Sequence, residues 1–289
     1  MRIACLFIVP LACALTAHAD FSYTQTTKSS QTMAAGAGDQ SSKHYLKGAK
    51  MKTERGTTAT IIDFDSQTIT TLNHAQKTYT VMKFSDIGQA MRNNGSEMTV
   101  DVKETGEKKM VNGFNASQVI MTMDIQAQQA GAQGMKMVME MEMWMSPDVP
   151  GASEYRDFFK KYGDRFPWAA LGAGGNPSMQ KSMADMQRKL VSLGSVPVQQ
   201  ITRVKSAGNN AQMDQMKAGM AQAMAQLEQM KKQGGAQAAA AEQALARMGG
   251  MGRAGGSLFE TTNESSNFST AAIPDSVFAI PGDYKQVAR

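Results

Sequence analysis

Beyond residue 13 this sequence contains no cysteine, its only two being Cys5 and Cys13. Disulfides, thiolate metal centres and cysteine nucleophiles are therefore excluded from everything that follows. Histidine is nearly as scarce: past residue 19 only His44 and His74 remain. Long apolar runs are missing too, and after the N-terminal segment no stretch approaches the roughly 20 apolar residues that a transmembrane helix needs. Clusters of Lys and Arg interleaved with aromatics are also absent. A formal charge of +5, or +4 once Arg2 is discounted, does not by itself argue for a nucleic-acid partner.

The N-terminus reads as a targeting segment. Arg2 supplies a positive n-region, Ile3 to Leu15 an apolar h-region, and Ala17-His18-Ala19 an A-x-A cleavage site before Asp20. The expectation is a signal peptide over residues 1–19 and a mature protein that is periplasmic or secreted. Lipid attachment at Cys13 is the rival expectation. Pro10-Leu11-Ala12-Cys13 fits it poorly, because an aliphatic residue belongs where Pro10 stands.

What the chain does have is methionine, 25 in all. Met135, Met137, Met139, Met141, Met143 and Met145 fall on every second residue, separated by Lys136, Val138, Glu140, Glu142 and Trp144. A period of two puts all six on one face of a β-strand and the mostly polar set on the other, whereas a helix would smear them around its cylinder. Val119, Met121, Met123 and Ile125 repeat the alternation one strand earlier, and Gln126 to Gly134 reads as the loop between the two. Their apolar faces coincide in such a hairpin.

That methionine face supports three readings. Methionine fills irregular gaps, so the face can be an adaptable core. The same softness suits the wall of a cavity that re-packs around acyl chains of varied shape. Thioethers also select Cu(I), and Met121-x-Met123 beside Met137-x-Met139 would offer three or four sulfurs. Against copper, six methionines exceed what one ion needs, and no histidine lies near them in sequence.

From Phe21 to Phe84 the chain is rich in threonine and aromatics, with turn residues every eight to twelve positions, the signature of an antiparallel sheet. Strands are expected at Phe21–Thr32, His44–Arg55, Thr57–Phe64, Thr68–Leu72 and Thr78–Phe84, the last two forming a hairpin. Ser85–Arg92 suggests a short helix, and Met98–Lys103 and Met110–Phe114 further strands. Two helices follow. Ser153 is placed to cap one carrying Tyr155, Phe158, Phe159 and Tyr162 on one face, stopped by Gly163. Asn176 before Pro177 is placed to cap another, with Met179, Met183, Met186 and Leu190 as its stripe. Val196–Ser206 and Ser257–Ala271 return as strands, and Ile273–Tyr284 closes the domain.

Residues 207–256 differ in kind: Ala, Gln, Met and Gly dominate, almost without β-branched or aromatic residues. Met213, Met216, Met220, Met224, Leu227 and Met230 trace a helical stripe, broken later at Gly234-Gly235. This stretch reads as a helical insertion between neighbouring strands. Its stripe is a helix seam or a contact surface for an envelope protein or membrane.

Several local patterns together carry a resemblance. They are Tyr45-Leu46-Lys47-Gly48 leading to Met51-Lys52, Ile61-Ile62-Asp63-Phe64-Asp65, and Lys77-Thr78-Tyr79-Thr80-Val81-Met82. Val111-Asn112-Gly113-Phe114, Met143-Trp144-Met145 and Ile273-Pro274-Asp275-Ser276-Val277-Phe278-Ala279-Ile280-Pro281-Gly282-Asp283-Tyr284 complete the set. In that order they resemble a family of exported bacterial proteins, domain of unknown function 4412. The family is similar in pattern to the lipoprotein carriers of the LolA and LppX type. In those an incomplete, curved antiparallel barrel wraps around helices and leaves an apolar cavity for acyl chains. The resemblance implies a fold more directly than an activity, and it brings no catalytic motif.

The remaining polar residues favour plain roles. His44 and His74 read as a solvated strand residue and a solvated turn residue. Asp63 and Asp65 imitate a catalytic pair, but nothing nearby suggests a nucleophile or a perturbed pKa. Glu140 and Glu142 read as the solvent face of the methionine strand.

The expectation is a single α+β domain over residues 20–289. It has a curved, mostly antiparallel sheet (an open half-barrel) of roughly eight to eleven strands, two helices on the concave face and the 207–256 insertion. Its expected function is non-enzymatic: binding a lipid or lipoprotein acyl chain in an apolar concavity lined by Met121, Met123, Met137, Met139, Met141 and Met143. No cofactor, metal or nucleic acid is expected, and an envelope protein is the candidate partner of the insertion. A Cu(I)-binding or purely structural envelope protein is the alternative.

Overall fold

The computed structural model describes residues 20–29, 40–86, 97–127, 135–167, 177–206, 222, 225–226, 229 and 259–287. The described strands are β1 (Phe21–Ser29), β2 (Gln40–Lys47), β3 (Lys50–Arg55), β4 (Thr58–Asp63), β5 (Thr68–Asn73), β6 (Thr78–Lys83), β7 (Glu97–Val111), β8 (Phe114–Ala127), β9 (Met135–Ser146), β10 (Val196–Ser206), β11 (Phe259–Ser269) and β12 (Lys285–Gln286). Helix α1 (Ala152–Tyr162) and helix α2 (Pro177–Ser192) stand between β9 and β10. The strands form one open sheet in the order β12-β6-β5-β4-β3-β2-β1-β11-β10-β9-β8-β7. Every pairing is antiparallel except that of β12 with β6.

Local chemistry explains the succession of hairpins. Gln67 and Lys77 adopt left-handed φ in the β4–β5 and β5–β6 turns, and Asp63 Oδ1 accepts the Asp65 and Ser66 amides, so this aspartate shapes a turn rather than a reactive pair. Asn112 and Gly113 have φ of 50° and 85°, the conformation of a two-residue turn that matches strand twist. That turn ends a strand longer than the sequence pattern suggests. Met98–Lys103 and Met110 belong to one 15-residue strand, β7, interrupted by a register shift between Glu104 and Lys108. His44–Arg55 is likewise a hairpin, β2–β3, so Tyr45 and Met51 lie on opposite faces. Helix α1 starts at Gly151 in the left-handed region and has no side-chain cap. Ser153 instead donates to its neighbour Glu154.

Glycine is required at position 151. A Cβ there would sit 2.5 Å from Phe21 Cδ2 and 2.8 Å from Thr270 Cγ2, so the chain enters α1 against the first strand.

Following the register from strand to strand places Leu46, Ile62, Gln25, Gln200, Met143 and Met121 on one side of the sheet. Near β1–β5, Phe158, Tyr162 and Phe166 pack there against Phe64, whose ring stacks on Tyr162 at 4.9 Å. Near β7–β9, α2 contributes Met186, Leu190 and the following Leu193 to the methionines. The other side of β3–β6 is covered by the chain after β11, where Ile273 and Phe278 bury Ala59, Ile61 and Leu72. Strand β4 is thus apolar on both faces, which explains the adjacent Ile61-Ile62.

Some expectations fall outside the described residues: the 1–19 segment, the loop after Ala127, the Asn176 cap and most of 207–256. Within the insertion, Gln222, Ala225, Gln226 and Gln229 are helical and exposed. That spacing puts them on one helix face, opposite the expected methionine stripe.

Candidate functional site

The methionine face forms as its alternation requires. Met121 pairs with Met141, Met123 with Met139 and Val119 with Met143 across β8 and β9, so their side chains are neighbours on one sheet face. Met121, Met123, Met143 and Met145 are buried, together with Met186 from α2. Met139 and Met141 are half-buried against that cluster. Met137 stands in register with Ile125 and Ser206, and its side chain lies outside the described residues. Gln200 Nε2 donates to Met141 Sδ at 3.2 Å, so this sulfur meets a polar neighbour at the edge of the cluster.

Where α2 crosses the edge strand, packing is incomplete. A cleft of about 410 Å³ remains, with Val100, Val102 and Met186 as its apolar floor and Ser182, Asp185 and Lys189 at its polar edge. Arg188 also reaches this edge, where it bonds Asp185 and holds Asp164 at 2.7 Å. The hydrogen bonds that Arg188 donates to these two carboxylates, Asp185 first, raise its pKa above the ordinary value. A smaller cavity of about 250 Å³ lies between α1 and the β1–β2 end, bounded by Phe21, Leu46, Phe158 and Tyr162 with Lys47 and Asp157 at its mouth.

The reverse face of β9–β11 is not a plain solvent face. Glu140 and Glu142 are half-buried in a charge network centred on Arg203, whose Nη1 donates to Glu142 at 2.9 Å and whose Nε donates to Glu260 at 2.8 Å. Lys205 donates to Glu140 at 2.9 Å and the Trp144 indole to Glu142 at 2.9 Å. Burial alone would raise the Glu142 carboxyl, but hydrogen bonds from Arg203, Trp144 and Gln118 outweigh it and hold the pKa below the ordinary value. Lys109 completes the arrangement with its ammonium 3.9 Å from the Trp144 ring centroid.

Neither histidine is simply solvated. His44 stacks on Tyr23 with ring centroids 4.5 Å apart and shares hydrogen bonds with Ser42 and Thr53. Burial, with a smaller contribution from Arg55, pushes its pKa down to about 4. His74 Nδ1 lies 2.6 Å from the Tyr284 hydroxyl, so it anchors the C-terminal strap. Among the described residues no group of three or more His, Cys, Asp or Glu side chains is arranged to hold a metal ion. No helix among them is long and apolar enough to cross a membrane.

The sequence pattern placed the methionines on one strand face, gave no role to Arg203 or Lys189, and read His44 as solvated. For Arg203 there was a usable signal: Glu140-x-Glu142 on a buried strand needs a base on the strand beside it. The contacts of His44 and the setting of Lys189 come from strands and helices that only the fold brings together.

Comparison with known proteins gives one family match. The description "Domain of unknown function (DUF4412)" fits residues 29–187, from the end of β1 into α2. No curated protein matches the chain significantly. Among solved structures, one titled "Structure of PNGF-II in P21 space group" aligns with a TM-score of 0.32 and 8% identity. The alignment covers 93% of this chain and 31% of that one. A likeness so low carries no argument about this chain.

Proposed function

Starting from a chain that belongs to the DUF4412 family, we propose that it is an exported, non-enzymatic module that holds a lipid or lipoprotein acyl chain between its helices and its sheet. The open sheet curves around α1 and α2 as in the lipoprotein carriers, and the ligand enters where α2 leaves β7 uncovered. The observation that carries this reading is the cleft of about 410 Å³ floored by Val100, Val102 and Met186. Its size lies within the roughly 300–1,000 Å³ of small-molecule sites, which are mostly apolar with a few polar groups. Behind the floor, Met121, Met123 and Met143 form a compliant layer, with Met139 and Met141 half-exposed beside it. Such a wall adapts to acyl chains of different length because methionine is unbranched and changes shape readily.

The direct test is native mass spectrometry of the full chain purified from cell envelopes, followed by lipid extraction. A bound acyl lipid, displaced by a fluorescent long-chain fatty-acid derivative, supports the reading. An empty chain that binds no such probe rejects it.

A further inference from the structure

We infer that the cleft between α2 and β7 takes an amphiphile with a single acyl chain and an anionic oxygen head group, which Lys189 holds at the mouth. This rests on the acyl-binding reading above and names the ligand class. The charges of α2 are lopsided, with Lys181, Arg188 and Lys189 against Asp185 alone. Asp185 is already neutralised, because Arg188 bonds it while also pairing with Asp164 at 2.7 Å. Among the described residues Lys189 has no ion-pair or side-chain hydrogen-bond partner, although it borders the cleft.

The position of Lys189 suits a head group. It follows Met186 by three residues and Asp185 by four, so all three share one helix face. Its methylene stem can lie along the apolar floor while the ammonium reaches the mouth, the usual disposition of a long cationic side chain. A chain lying on Val100, Val102 and Met186 would bring its polar end to that ammonium. A neutral head leaves the cation unmatched and a cationic head is repelled by it. The volume, about 410 Å³, sits near the low end for ligand sites and favours one acyl chain over several.

The experiment compares a fluorescent long-chain fatty acid with its methyl ester at pH 7, where the acid is ionised. Both are titrated into the full chain and into Lys189→Glu and Lys189→Met variants, with thermal unfolding recorded for each protein. The acid should bind the parent chain at least tenfold more tightly than the ester. Lys189→Glu should weaken acid binding at least tenfold, Lys189→Met should weaken it less, and ester binding should stay unchanged in both. Equal affinity for acid and ester, unaffected by either variant, overturns the head-group assignment and leaves the acyl-binding reading standing. If neither probe binds the parent chain, both are overturned.

Discussion

The Lys52 ammonium, on a side chain only 8% exposed, donates to the backbone carbonyl of Val277 at 2.6 Å. It also pairs with Glu54 at 2.6 Å, so one buried lysine joins β3 to the strap that follows β11. Lys47 reinforces the tie through the Ile273 carbonyl and Asp275, and Tyr284 closes it on His74. This strap covers the face of β4 and β5 that the helices do not reach.

Replacing Lys52 with Met should loosen the strap. The apolar stem is kept, but the Val277 carbonyl loses its donor and Glu54 its partner. Leaving a buried acceptor unsatisfied costs about 1–3 kcal/mol. Urea denaturation should show that loss, and limited proteolysis should cut earlier within residues 273–287. An unchanged midpoint and cleavage pattern would show that apolar contacts alone hold the strap.

Stability should fall on acidification because of His44. Its folded pKa is about 4, below the roughly 6.5 of an unfolded histidine. Between those values the unfolded chain binds the extra proton, so stability decreases as pH drops from about 6.5 towards 4. At about 1.4 kcal/mol per unit, the full effect is at most about 3.5 kcal/mol. Urea midpoints measured from pH 7 to pH 4 should slope less steeply in His44→Gln; identical slopes in both proteins would remove His44 as the cause.

Gly151→Ala should destabilise the fold by about 1–3 kcal/mol for forcing extra volume into packed atoms, on top of the backbone cost of about 1–2 kcal/mol that its positive φ imposes on alanine. Gly106→Ala is the control: its φ of 84° resembles the 83° of Gly151, but a Cβ there meets nothing within 4 Å. The control should lose only the backbone cost, about 1–2 kcal/mol. Thermal unfolding that ranks the two variants equally would mean that Phe21 gives way.

Changing Met121, Met123, Met137 and Met139 together to Leu should leave the fold and fatty-acid binding nearly intact, since such a swap usually costs under about 1.5 kcal/mol per site. Cu(I) binding, by contrast, requires the sulfur atoms. Copper titration under reducing conditions decides the matter. Copper binding by the parent chain alone, with no probe binding by either protein, points to a metal site. Met141→Asp should cost several kcal/mol by placing a charge against the half-buried cluster.

Deleting residues 207–256 and joining the strands through a short Gly/Asn turn should leave a folded domain. Val204 and Phe259 are already paired in adjacent antiparallel strands, so the ends to be joined are close. Shortening a long connection changes closure entropy only modestly. Loss of cooperative thermal unfolding in the deletion variant would refute this.

Periodicity determined much of this protein without help from tertiary contacts. Alternation at Met135–Met145 and Val119–Ile125 specified both strands and their shared face, because a period of two admits no other regular structure. The aromatic spacing from Tyr155 to Tyr162 likewise specified α1. The tertiary structure decided everything that depends on which strands become neighbours. Glu142 became half-buried because β10 brings Arg203 alongside it, and His44 was desolvated because β1 lays Tyr23 over it. Lys189 gained its position because α2 crosses β7 instead of covering it fully, leaving a cleft of about 410 Å³. These pairings join residues far apart along the chain, and a local pattern carries the face a residue occupies but not the partner it meets there.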